Sequence, residues 1–199
     1  HVSLQLAKGR SWPIVTQAEA QHIYDDLKKD LETIGYASYA VELIDKFTFE
    51  EEENQSIFNL LKNTLTRLDR GDPAHIVIRY YEIRLLDLLG FRPELKECVV
   101  SGEKIKPENQ YFSAALGGIV SPGSGRDLSG AVPVSVRALK YLRHFQRSSY
   151  QDASRALISP EIQKELEVLM QYYLTYLLER GLNSPAFLRR VRRTSEGDD

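Results

Sequence analysis

"YYEIRLLDLLGFRPELKECVVSG" occupies residues 80–102. Ile83 and Leu86 continue a stripe begun at Ile76 and Tyr80, the spacing of a buried helix face. Asp72-Pro73 is a start signal for that helix and Gly90 a stop signal. The chain then turns at Pro93 and reaches Cys98-Val-Val-Ser101-Gly102. A glycine after C-x2-C is the form of a metal knuckle, but here the second position is serine. The next clear helix does not begin until Ser135, so residues 91–134 are too long for an idle connection in a helical domain.

Within that stretch lies a second pair with the same spacing, Ser121-Pro-Gly-Ser124. The frame is C-x2-S-x19-S-x2-S, the layout of a four-cysteine zinc site with three ligands replaced. Zinc takes thiolate or imidazole, and a serine hydroxyl stays protonated and neutral at pH 7. Cys98 is the only cysteine, and His1, His22, His75 and His144 all lie outside the loop. The degenerate positions Cys98, Ser101, Ser121 and Ser124 are therefore expected to hold no metal, with Cys98 a small buried hydrophobe and no cofactor required.

Outward from this stretch the pattern is helical. Thr16-Gln-Ala-Glu19 has the form of a capping box, and Ile23, Leu27, Leu31 and Ile34 follow at helical spacing. The acidic run 50–53 reads as a solvated helix entrance ahead of the stripe Phe58, Leu61, Leu65 and Leu68. Ser159-Pro160 opens a helix carrying Ile162, Leu166, Leu169, Tyr173 and Leu177, and Ser184-Pro185 opens a short last one. At least five amphipathic helices with short links predict a mainly α bundle. Residues 1–15 differ: Val2, Leu4 and Leu6 alternate with Ser3, Gln5 and Ala7, a strand period too short to close a sheet alone. The expected organisation is a β fragment over 1–15, the bundle over 16–193 with the degenerate zinc loop within 91–134, and a disordered tail over 194–199.

Composition narrows the class. The hydrophobic share is 42% and the charged share 27%, values of a soluble globular chain. No run approaches the ~18 apolar residues of a membrane span. A single cysteine forbids an internal disulfide, which makes the cytoplasm the expected compartment. The first residue is His1 rather than Met, so a preceding segment is expected. No nucleotide-binding, zinc-protease or serine-hydrolase motif is present, and an enzyme is not expected. Charge is uneven: residues 1–125 carry 14 Lys/Arg against 19 Asp/Glu, whereas 126–193 carry 12 against 6. A polyanion would meet the back half.

Two basic stretches stand out there. In "SVRALKYLRHFQR" (135–147), Arg137, Lys140, Arg143, His144 and Arg147 fall within an arc of about 120° on a helix. Ala138, Tyr141, Leu142 and Phe145 take the opposite side, with Leu139 at its margin, and no acidic residue interrupts the stretch. In "RRVRR" (189–193), Arg189, Arg190, Arg192 and Arg193 follow the apolar pair Phe187-Leu188, so guanidiniums could face a phosphate backbone or simply form a solvated terminus.

These residues carry a family resemblance. Tyr81-Glu82-Ile83, Leu89-Gly90-Phe91-Arg92-Pro93, Cys98, Gly102, Phe112-Ser113, Gly117-Gly118 and the closing "GLNSPAFLRRV" (181–191) resemble the RecO family of bacterial recombination mediators in order and spacing. The resemblance spans roughly residues 14–191; Ser101, Ser121 and Ser124 stand where that family's other zinc ligands would be. It implies an N-terminal OB-fold barrel, of which residues 1–15 would be the last strands, followed by a helical bundle with an inserted zinc loop. It also implies binding of single- and double-stranded DNA and strand annealing. The partners it implies are RecR, the acidic tail of single-stranded-DNA-binding protein and, indirectly, RecA, at the nucleoid and away from membranes. The basic face at 135–147 then has two candidate ligands, a DNA backbone or that acidic tail. The contrasting expectation is a helical interaction scaffold that never touches DNA.

Overall fold

A computed structural model describes residues 1–48, 53–179 and 181–196. Among them, two short antiparallel sheets accompany a set of helices wrapped around one helix. In chain order these are β1 (Val2–Ala7), β2 (Ile14–Ala20), α1 (Leu31–Phe47), α2 (Gln55–Asp69), α3 (Ala74–Leu88), β3 (Gln110–Ser113), β4 (Gly118–Val120), the single turn α4 (Pro122–Gly125), β5 (Val132–Val134), α5 (Val136–Arg147), the single turn α6 (Tyr150–Ala153), α7 (Pro160–Leu178) and α8 (Ser184–Glu196).

The central helix is α3. Its sequence is apolar nearly all round, and ten of the eleven positions from Ile76 to Leu86 are buried, Arg84 being the exception. A helix hydrophobic on every side must be covered on every side. Here α2, α5, α1 and α7 pack around it. Its two buried charges compensate each other: Arg79 pairs with Glu82 at 2.9 Å, and Tyr39 of α1 donates to the same Glu82 oxygen at 2.6 Å. Gly90 ends the helix with a φ of 81°, and Phe91 N–H returns to the Leu86 carbonyl while Gly90 N–H reaches Asp87, a Schellman stop. Asp72, which the sequence places as the N-cap, instead accepts from Arg70 and from the Tyr150 hydroxyl.

The other helix ends are fixed by side chains. Asp30 caps α1 and Asn54 caps α2. Ser135 caps α5, and Glu165 of α7 accepts both its backbone N–H and its hydroxyl, tying the start of α5 to α7. Glu42 of α1 accepts from Asn183 N–H, Ser184 N–H and Ser184 hydroxyl, holding the start of α8. The acidic run 50–53 lies outside the described residues except for Glu53. Helix α8 continues to Glu196, so its backbone enters the stretch 194–199 read as a tail; residues 197–199 lie outside the described residues.

Residues 16–20 correct the sequence expectation. Thr16 does not cap a helix: it lies in β2, antiparallel to β1, and its hydroxyl donates to the Gln5 carbonyl. Thr-x-x-Glu is also compatible with a strand, and the alternation of β1 supplies a pairing partner that wins over the local motif. Leu27 sits in a short 3-10 turn, Leu27–Lys29, and α1 begins only at Leu31. Cross-strand neighbours Leu4 and Ala18, and Leu6 and Val15, sit opposite one another, and Val2, Leu4, Leu6 and Val15 are all more than half exposed. This hairpin carries an uncovered apolar face.

The insertion between α3 and α5 is ordered by a three-stranded sheet of order β4-β3-β5. Phe112 of β3 is buried against Tyr173 of α7. Tyr173 donates to the Phe91 carbonyl and Tyr172 to the Gly130 carbonyl, so α7 grips both ends of the insertion. Gly118 is required by close approach, since a Cβ there would stand 2.7 Å from the Glu94 carbonyl oxygen.

Candidate binding face and knuckle loop

Helix α5 is amphipathic. Ala138, Leu139, Leu142 and Phe145 are buried, and Arg137, Lys140 and Arg147 are exposed. Together with His144, Tyr141 and Ala156, those three cations line a cavity of about 430 Å3. Its shape comes from the segment between α6 and α7. Tyr141 donates to the Leu157 carbonyl at 2.6 Å, drawing that segment beside α5 and leaving the Leu157 side chain 91% exposed. The result is an apolar floor with a cationic rim. Arg137, Lys140 and Arg147 make no side-chain hydrogen bond or salt bridge among the described residues. Glu161 at the start of α7 lies within electrostatic reach of Arg137. The Ser159 hydroxyl and its own backbone N–H hold its carboxyl below the usual range, with a smaller contribution from Arg137.

The other two members of the basic arc have structural roles. Arg143 donates to the Leu95 carbonyl at 2.6 Å, tying α5 to the insertion, and burial lowers its pKa. His144 meets Ser148 through Nδ1 and the Asp152 carbonyl through Nε2, fixing the end of α5. The periodicity found the arc; the contribution of Ala156 and Leu157 was missed. The apolar run Ala156-Leu157-Ile158 before Ser159-Pro160 was the available signal.

The four arginines of α8 are also divided. Arg189, Arg190 and Arg193 are exposed. Arg192 turns inward, donating to Glu32 of α1 at 2.8 Å, to Glu167 of α7 at 3.0 Å and to the Tyr36 hydroxyl. It closes a polar cavity of about 490 Å3 shared by α1, α3, α7 and α8. Burial opposes its charge, yet Tyr36, Glu32 and Glu167 together raise its pKa. Helix α8 packs on α1 and reaches α7 through Arg192, whereas α5 packs on α3 and α7.

Three of the four knuckle positions, Cys98, Ser101 and Ser121, come together. Cys98 is buried, and its sulfur receives the N–H of Ser101 at 3.5 Å and that of Ser121 at 3.3 Å. The Cys98 thiol and Ser121 hydroxyl are 3.5 Å apart. Burial pushes the thiol pKa up, but the hydrogen bonds from Ser101 and Ser121 outweigh it and bring it down to about 6. One sulfur and three neutral hydroxyls do not fit a zinc ion, which needs four good donors. Among the described residues no group of three or more His, Cys, Asp or Glu is placed to hold a metal.

A helical bundle with a knuckle-bearing insertion belongs to the class of helical recombination-protein domains, for the family model described as "Recombination protein O C terminal" matches residues 28–186. The chain is a member of the RecO family. A DNA repair protein RecO from Roseiflexus sp. (strain RS-1) is 39% identical over 193 residues, covering 97% of this chain and 68% of the relative. One from Dehalococcoides mccartyi (strain ATCC BAA-2266 / KCTC 15142 / 195) is 34% identical over 192 residues, covering 96% of this chain and 76% of the relative. The family places the chain among DNA repair and recombination proteins of bacterial type. No described helix is long and apolar enough to cross a membrane.

Proposed function

We propose that this chain is a recombination mediator that delivers coated single-stranded DNA to RecA together with RecR, and that its α5 cavity docks the acidic tail of the single-stranded-DNA-binding protein. Family membership supports the mediator role. The observation that favours a peptide over a DNA backbone at α5 is the combination of a cationic rim, Arg137, Lys140 and Arg147, with an apolar floor of Tyr141 and Ala156. A phosphate backbone needs cations but offers no aliphatic group to fill such a floor, whereas an acidic peptide with an apolar side chain uses both. DNA is then met elsewhere, with Arg189, Arg190 and Arg193 of α8 as the phosphate contacts. The apolar face of the β1/β2 hairpin is the inner wall of an OB-fold barrel.

Changing Arg137, Lys140 and Arg147 to alanine tests this reading. Alanine is a strong helix former, so α5 persists. Loss of the rim is expected to weaken binding of an acidic peptide with an apolar terminus at least about tenfold, while affinity for naked single-stranded DNA stays within about twofold. Lost DNA affinity with a reduced salt slope would assign the face to phosphate instead.

A further inference from the structure

The knuckle loop raises a question that tail docking does not answer: what joins two turns built for a metal when the metal's ligands are gone? The first turn, Cys98 to Gly102, is closed by Gly102 N–H to the Cys98 carbonyl at 2.7 Å. The second, Ser121 to Gly125, is closed by Ser124 and Gly125 N–H to the Ser121 carbonyl. Strand-like bonds hold the turns side by side: Val99 N–H meets the Ile119 carbonyl at 2.9 Å and Ile119 N–H the Glu94 carbonyl at 2.8 Å. Between them lies the Cys98 sulfur, which accepts an N–H from each turn, Ser101 from its own and Ser121 from the other. In a tetrahedral zinc–thiolate site, Zn–S distances of about 2.3 Å place neighbouring sulfurs about 3.8 Å apart. The Cys98 sulfur and the Ser121 hydroxyl oxygen stand 3.5 Å apart, close to that edge length.

We propose that the Cys98 sulfur serves as the joint between the two turns, doing by hydrogen bonds what a zinc ion does by coordination. With the Cys98–Ser121 edge and both closed turns retained, Ser101→Cys, Ser121→Cys and Ser124→Cys together would load the frame with zinc. The insertion is therefore metal-independent in this chain. Its order rests on one sulfur, the small sheet and the grip of α7. Ser101 is exposed and Ser124 half-buried, so the ion can reach the frame from solvent.

The triple variant and the wild-type protein are purified with zinc present and dialysed, then assayed for metal content and for thermal unfolding with and without chelator. The wild type is expected to retain a negligible fraction of zinc and to melt at the same temperature with chelator. The variant should hold about one zinc per chain, give a tetrahedral cobalt(II)–thiolate spectrum on substitution, and become chelator-sensitive. A folded triple variant that binds no zinc would overturn the retained frame. Stoichiometric zinc in the wild type would overturn the metal-independent joint. Cys98→Ala gives the independent reading: stranding two N–H groups should lower the melting temperature by roughly 5 °C, and an unchanged value would remove the sulfur from that role.

Discussion

Glu82 offers the sharpest pH test of the fold. Its side chain is fully buried at the middle of α3, one oxygen shared by Tyr39 and Arg79, the other without a hydrogen-bond partner among the described residues. Burial raises its pKa from 4.5 to about 7; Arg79 and the Tyr39 hydroxyl pull it down, and Glu167 across the α3–α7 contact pushes it up. A carboxyl whose folded pKa lies above its unfolded value contributes stability that is complete below the unfolded pKa and is lost as pH rises through the folded one. The window is therefore about pH 4.5 to 7, and the loss across it is about 3 kcal/mol, or roughly 10 °C in melting temperature for a chain of this size. Glu82→Gln keeps the shape and an acceptor oxygen but does not titrate. Denaturant unfolding of both proteins between pH 5 and 8 should show wild-type stability falling relative to the variant as pH rises. His75, whose pKa burial lowers, titrates with the opposite sign but equally in both proteins, so it cancels in the difference. A difference between the two proteins that stays constant over this range would refute the argument.

Further outcomes follow from helix α8. Arg192→Ala removes the guanidinium that joins Glu32 to the mostly buried Glu167, leaving Glu167 with Gln171 and Lys164, and should cost about 1 to 2 kcal/mol in denaturant unfolding, more than Arg193→Ala on the exposed side. Gly35→Ala places a methyl 2.6 Å from Leu188 Cδ2, so the Leu188 side chain or α8 must move and about 1 kcal/mol should be lost in the same assay. Changing Arg189, Arg190 and Arg193 to alanine together should weaken single-stranded DNA binding and reduce its salt slope by roughly one unit per lost phosphate contact. An unchanged slope removes α8 from the DNA path.

The long helices were legible because their apolar spacing is repeated over several turns: Ile162, Leu166, Leu169 and Tyr173 all point inward as their period requires. Short local signals were less dependable. Thr16-Gln-Ala-Glu19 matched a capping box, but a four-residue motif carries less energy than a strand partner, and β1 decided the outcome. Phe58 fits the apolar period of α2 yet is 45% exposed, since the period gives the face and not its edges. The basic arc on α5 was visible in the sequence; its division into Arg137, Lys140 and Arg147 at the cavity and Arg143 on the Leu95 carbonyl was not. That division depends on a residue 48 positions away. Arg192 was misplaced among water-facing guanidiniums for the same reason, because Glu32 is 160 positions distant in sequence.

The claim that α5 docks an acidic, apolar-ended peptide is tested most directly by amide chemical-shift mapping of the whole chain during titration with such a peptide. The largest changes are expected on residues 137–147 and on Ala156 and Leu157, with α8 unmoved. Shifts confined to α8 or the β1/β2 hairpin, with α5 silent at saturation, would contradict it.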